Sequence, residues 1–168
     1  MALGAMLAVG EDGFAALYRA EFRHMTQSVF LVVGSAFLAE EIAQEAFARA
    51  WARWDRVSTM NNPAGWVQTV AFRLALRAKR RAQRVSDAES LVVGSSVGVD
   101  SSVSAVATAL RGLPPMQRAV IALRFFDDLP MDEVAKRLGC RPSTARVHLH
   151  RARLRLADAV TRGALHGI

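Results

Sequence analysis

MDEVAKRLGCRPSTARVHLHRARLR, residues 131–155, decides how the rest of the chain is read. Its first eight residues put acids early (Asp132, Glu133) and bases late (Lys136, Arg137), the order that a helix dipole favours. Gly139 follows, and glycine ends a helix in the left-handed region at little cost. Pro142 then suits the first position of a second helix, where no amide hydrogen is needed. Two short helices on a tight turn predict a helix-turn-helix. Val134, Ala135, Leu138, Ala145, Leu149 and Ala152 supply its apolar skeleton, with positions 145, 149, 152 and 156 on one stripe of the second helix. The opposite stripe carries Ser143, Arg146, Val147, His150 and Arg151. A helix entering the major groove by its N-terminal end needs such groups. Arginine bonds guanine bidentately, and other polar side chains hold phosphates. The alternative is a solvated basic face on an ordinary helical hairpin, and this segment alone leaves both open.

Upstream, Leu113-Pro114-Pro115 opens a further helix that runs through Val120, Leu123 and Phe126, and Asp127-Asp128-Leu129-Pro130 turns the chain. Residues 110–168 thus form one basic helical module, with eleven Lys/Arg against five Asp/Glu. Residues 85–109 hold three acids and no Lys or Arg, and are rich in Ser, Gly and Val. That composition predicts a flexible linker, with its alanine-rich end from about Ser102 starting a helix. Residues 1–84 carry eleven bases and seven acids and form a second basic module. Phe14, Leu17, Tyr18, Phe22 and Met25 recur at helical spacing, and Gly34-Ser35 marks a break. Ala39–Trp51 is the next helical stretch, with acids in its first turn. Ser58 to Pro63 is a loop, and Pro63 starts a helix that carries Trp66, Val70 and Leu74 and ends in the basic run Arg77-Ala78-Lys79-Arg80-Arg81. No alternating strand pattern occurs. The fold class is therefore all-α, two small helical modules on a flexible linker.

The balance of 168 residues, 22 Lys+Arg, 15 Asp+Glu and net charge +7 points to a polyanionic partner. The apolar fraction of 52% suffices for a core and argues against global disorder. The single cysteine, Cys140, excludes an intramolecular disulfide and fits a reducing compartment. No apolar run approaches the ~20 residues of a membrane span, and Met1 to Gly10 lacks a basic leader, so the chain is expected in the cytoplasm with no stable membrane insertion. No phosphate loop, nucleophile elbow or metal motif appears, so neither catalysis nor a cofactor is expected. The tryptophans Trp51, Trp54 and Trp66 beside basic residues could stack unpaired bases, although filling the core is the simpler role for Trp51 and Trp66. Glu41, Gln44 and Glu45 can share one helix face, either solvated or facing a basic partner.

Taken together, these segments resemble an extracytoplasmic-function (ECF) sigma factor of the sigma-70 family. FAALYRAEFRHM, AEEIAQEAFARAW and NPAGWVQTVAFRLALRAKRR are similar to region 2, and LRGLPPMQRAVIALRFFDDLPMDEVAKRLGC with STARVHLHRARLRL is similar to region 4. The resemblance implies a non-catalytic protein that binds core RNA polymerase and promoter DNA and is restrained by an anti-sigma factor. By position it implies core-polymerase contacts at Glu41, Gln44 and Glu45. The −10 contacts it implies are Asn61, Asn62, Arg73, Arg77, Lys79 and Arg80. The −35 contacts are Arg124, Ser143, Arg146, Val147, His150 and Arg151. The chain departs from the family at Phe72-Arg73, Arg141 and Arg146-Val147-His148, so promoter sequence does not transfer. Region 3 and a regulatory extension after Ile168 are expected to be absent. A helix-turn-helix regulator that never binds polymerase remains the alternative. It leaves the Glu41–Glu45 face unexplained.

Overall fold

The computed structural model describes residues 2–88 and 109–165. Every regular element among them is helical: α1 (Ala2–Val33), α2 (Ala36–Trp51), α3 (Trp54–Val57), α4 (Pro63–Ala88), α5 (Pro115–Ile121), a π-helical turn (Ala122–Phe126), α6 (Met131–Leu138) and α7 (Pro142–Leu165). The part of the connector from Ser102 expected to start a helix lies largely outside the described residues.

Helices α1, α2 and α4 pack on one another as a three-helix unit. Met25, Val29, Val32 and Val33 face inward from α1, Ala39, Ile42, Ala43, Ala46, Phe47 and Ala50 from α2, and Val67, Ala71, Phe72, Ala75 and Leu76 from α4. The alanines let the backbones approach, while Phe47 and Phe72 fill the space between. Burying each of these rings contributes about 1.5–3 kcal/mol. Val57 of the single-turn α3 closes the end. Outside this core, Phe14 meets Trp51 at 4.9 Å and Trp54 at 5.4 Å between ring centroids, and Tyr18 stacks on Phe22 at 4.6 Å.

Local chemistry fixes the ends. Gly34 takes φ +73, and Ser35 caps α2 by accepting from the Leu38 amide at 3.3 Å. The helix begins three residues earlier than Ala39, so Glu40 and Glu41 sit in its second turn rather than its first. Asn62 Oδ1 accepts from the Gly65 amide at 2.7 Å, which caps α4 with Pro63 at the first position. Helix α4 does not end in its basic run but continues to Ala88.

In the second unit, Val120, Leu123, Val134, Ala135, Leu138, Ala145 and Ala152 are buried. Gly139, at φ +67, ends α6. Its amide donates to the Lys136 carbonyl at 3.3 Å, and the Cys140 amide donates to the Ala135 carbonyl at 3.0 Å, the paired bonds of a Schellman turn. The helix expected through Phe126 changes pitch instead. Its last five residues are π-helical, and the Asp127 amide reaches back to the Ala122 carbonyl at 3.0 Å.

The two units pack together, α1 against α5 and the π turn, and α4 against α6. Their buried residues form one continuous cluster.

Candidate nucleic-acid interface

The Schellman turn aims α7 away from α6. Ala145 and Ala152 are buried and Leu149 is half-buried, while Ser143, Arg146, Val147, His150 and Arg151 are all exposed. The structure therefore brings these five expected contacts together on one solvent-facing stripe. Arg146 Nη2 pairs with Asp132 Oδ1 at 3.2 Å, both side chains more than half exposed. Exposed pairs of this kind contribute roughly 0–1 kcal/mol, so a ligand can replace Asp132. Arg124 stands apart from the stripe on the π turn. Its Nη1 lies 3.4 Å from Asp128 Oδ1 and from the Leu129 carbonyl, and its guanidinium sits 5.7 Å over the Phe125 ring. His148 turns inward. Burial and the Arg151 charge lower its pKa, and its Nδ1 has no partner. Burial raises the Cys140 thiol pKa, which suits a packing role rather than reactivity.

On the first unit the expected residues divide. Glu41, Gln44 and Glu45 share the exposed face of α2. Glu45 accepts from Arg49 Nε at 2.7 Å, and Gln44 donates to Glu40 at 3.2 Å. Glu41 and Glu45 rim a shallow groove of about 380 Å³ with Leu38, Ile42, Leu74 and Arg77. Arg77, expected on the nucleic-acid side, thus stands beside the acidic face. Arg73 and Arg80 are exposed on the same side of α4. Lys79 is set apart from them. Its Nζ donates to the Val33 carbonyl at 3.4 Å, and burial together with the nearby Arg118 charge lowers its pKa.

Asn61 and Asn62 line a second cleft of about 660 Å³ with Trp66, Thr69 and Arg73. Its opposite wall comes from the second unit, from Glu133, Lys136 and Arg137 of α6. Residue patterns gave Gln68 and Ser28 no role, and read Arg137 and Asp127 only as a helix-end base and a turn residue. Arg137 Nε donates to Gln68 Oε1 at 2.8 Å across the cleft, and Ser28 Oγ donates to Asp127 Oδ2 at 2.6 Å. The only signal in the sequence was Ser28 itself, a hydroxyl within the apolar stripe of Met25, Val29 and Val32.

This geometry has close counterparts. The sigma-70 region 2 model matches residues 12–85, and the sigma-70 region 4 model matches residues 104–156. The ECF RNA polymerase sigma factor SigK of Mycobacterium ulcerans is 30% identical over 164 residues, covering 90% of this chain and 88% of SigK. The chain belongs to the ECF group of the sigma-70 family. SigW of Bacillus subtilis, another ECF RNA polymerase sigma factor, is 24% identical, with 85% of this chain and 86% of SigW covered. The chain spans 56% of the length of a further match, the Mycobacterium tuberculosis protein named "Probable ECF RNA polymerase sigma factor SigI", at 29% identity. The sigma factor RpoE of Bartonella quintana, crystallised with the anti-sigma factor NepR, shares the fold. Its TM-score is 0.74 at 20% identity, with 88% of this chain and 96% of that one covered. Residues 12–85 are region 2 and residues 104–156 are region 4. Among the described residues no helix is long and apolar enough to cross a membrane.

Proposed function

We propose that this ECF sigma factor binds core RNA polymerase and directs it to promoters, without catalysing any step itself. The observation that supports this is the α7 stripe: four polar or basic side chains and the apolar Val147 exposed beyond a glycine turn, over a buried alanine stripe. In this reading α7 enters the major groove of the −35 duplex. Arg146, His150 and Arg151 address base edges and phosphates, while Ser143 and Val147 lie close to the groove floor. Arg124 adds a phosphate contact from the π turn. Asn61, Asn62 and Trp66 form the receiving end for an unpaired −10 base, with Arg73 and Arg80 along its backbone. Glu41, Gln44 and Glu45 dock on a basic surface of the polymerase, and Arg77 flanks that contact. Residues 1–84 and 110–168 act as the two working modules, and 85–109 joins them. An anti-sigma factor that covers both modules restrains the protein in the cytoplasm.

Run-off transcription tests the assignment. Purified core polymerase plus this chain is expected to give discrete transcripts from genomic promoter fragments. Absence of any specific transcript, with a control sigma factor active in parallel, contradicts it. A plain helix-turn-helix regulator would bind duplex DNA and give no transcript from core. Purification of the tagged chain from its uninduced host checks the anti-sigma proposal. A stoichiometric small partner is expected, and recovery of only free and polymerase-bound protein overturns it.

A further inference from the structure

In the cleft of about 660 Å³ between α4 and α6, two fixed donors meet at Gly65. The Asn62 amide is held because its Oδ1 accepts from the Gly65 amide at 2.7 Å, which leaves Nδ2 to the cleft. Arg137 is held as well, with its side chain only 6% exposed. Its Nε donates to Gln68 Oε1 and its Nη1 to Glu133 Oε2, each at 2.8 Å, and Nη2 is left over. A Cβ on Gly65 would stand 2.6 Å from Asn62 Nδ2 and 2.5 Å from Arg137 Nη2. The two nitrogens therefore flank one small space that a side chain would fill. Neither has an acceptor among the described residues.

The rest of the cleft combines an aromatic ring with cations. Trp66 lines it half-buried, beside the apolar Met60 and Val70. Arg73 and Lys136 are exposed at its rim. Arg73 has no ion pair among the described residues, and Lys136 Nζ lies 3.7 Å from Glu133 Oε1. Glu133, already bonded to Arg137, is the one lining carboxylate against these three cations. Arg73 follows Trp66 by seven residues of one helix, about 10 Å along its axis. A ring with cations two turns away suits a nucleotide, the base on the ring and the phosphates on the cations. The volume is that of a small-ligand site. The donor pair selects the base. Guanine presents two adjacent acceptors, N7 and O6, whereas adenine puts an amino donor beside N7 and would set donor against donor.

We infer that this cleft binds a free guanine nucleoside diphosphate, with Asn62 Nδ2 and Arg137 Nη2 on the base edge, Trp66 against the ring, and Arg73 and Lys136 on the phosphates. The site goes beyond the promoter reading and does not rest on it, although Asn62, Trp66 and Arg73 serve in both. A guanine within an unpaired strand offers the same base edge, but its phosphodiesters carry one charge each and bring no terminal phosphate to the two cations.

Isothermal titration calorimetry of the full chain with GDP, ADP and pyrophosphate tests the site. One GDP per chain is expected, bound about tenfold tighter than ADP, with pyrophosphate weaker still. Arg137→Lys keeps the charge but loses the forked donor, and should bring GDP down to the ADP level. Arg73→Gln changes an exposed side chain and should weaken both nucleotides by a similar factor, with helical content unchanged by circular dichroism. The nucleotide comparison on the unmodified chain and the Arg73→Gln variant leave the buried wall of the cleft intact, so the test stands even if Arg137→Lys disturbs folding. No heat with GDP, or equal affinity for GDP, ADP and pyrophosphate, overturns the site. An unpaired oligonucleotide with one guanine that displaces GDP and binds more tightly than it does would give the donor pair to a strand and overturn the free-nucleotide reading. None of these outcomes bears on transcription by the unmodified chain.

Discussion

The two surfaces assigned to DNA are built in opposite ways. The α7 stripe is a local product: a glycine stop, a proline start and a helical repeat present five side chains to solvent. The Asn61–Arg73 surface is local in its cap and helix but not in its availability, because α6 forms the other wall of its cleft. A reading head assembled within one helix is available whenever that helix folds. One that lies on a seam between modules takes its shape from both, here with Asn61, Asn62 and Arg73 exposed at its rim.

The largest effect should come from undermining α7 from below. Ala145→Glu buries a carboxylate with no partner, which costs several kcal/mol. Circular dichroism and duplex binding should show region 4 unfolded and −35 affinity lost, while the three-helix unit of region 2 keeps its own melting transition. Joint collapse of both units would mean that the seam, not local packing, sustains region 2.

Arg146→Ala comes next. A base-reading arginine is worth about 1–3 kcal/mol against the wrong base, whereas a phosphate contact weakens all sequences alike. Competition binding across −35 variants should show relaxed discrimination, and a uniform loss would assign Arg146 to the backbone. Gly139→Ala is a milder break of the same head. The left-handed conformation costs a non-glycine residue about 1–2 kcal/mol, and the nearest neighbour, Arg73 at 3.5 Å, does not clash. The melting temperature of region 4 should fall, with that of region 2 unchanged.

Two smaller effects sharpen the contrast. Ser35→Ala removes the α2 cap and should destabilise region 2 alone by about 1 kcal/mol in denaturant titration. The His148 pKa is lowered in the folded protein by burial and by Arg151. Protonation therefore favours the unfolded state, and the stability this residue contributes is present above the ordinary histidine range and lost as pH falls through the folded value. The gap in region 4 melting temperature between the native chain and His148→Gln should narrow or reverse as pH drops from neutral to mildly acidic. A gap independent of pH would show that folding leaves the His148 pKa unchanged, and would contradict the shift.

How much of this could be read from residues alone follows the same division. Gly34, Asn62-Pro63, Gly139 and Pro142 set helix ends by short-range chemistry, and each falls where the residue pattern puts it. The α7 stripe was legible because its period is its structure. The start of α2 was misread by three residues because Ser35, the true cap, lay beyond the acids that drew attention. The π turn was invisible, since one extra residue per turn leaves no mark in an apolar pattern. The aromatic cluster gave a mixed signal: Phe72 is core, Trp51 and Trp54 pack on Phe14, and Trp66 alone of the tryptophans faces the cleft. The polar contacts between the two units were least legible. Their hydrogen bonds span 103, 99 and 69 residues, and no local pattern announces that Asp127 will meet His24 and Ser28 or that Arg137 will meet Gln68.

Permanganate footprinting tests the central claim, that one chain reads duplex with α7 and unpaired DNA with region 2 once core polymerase is present. The account predicts protection of the upstream duplex together with reactive, melted thymines at the downstream element, the melting dependent on both core polymerase and this chain. Upstream protection with no core-dependent melting would contradict it and leave a duplex-binding helix-turn-helix protein in its place.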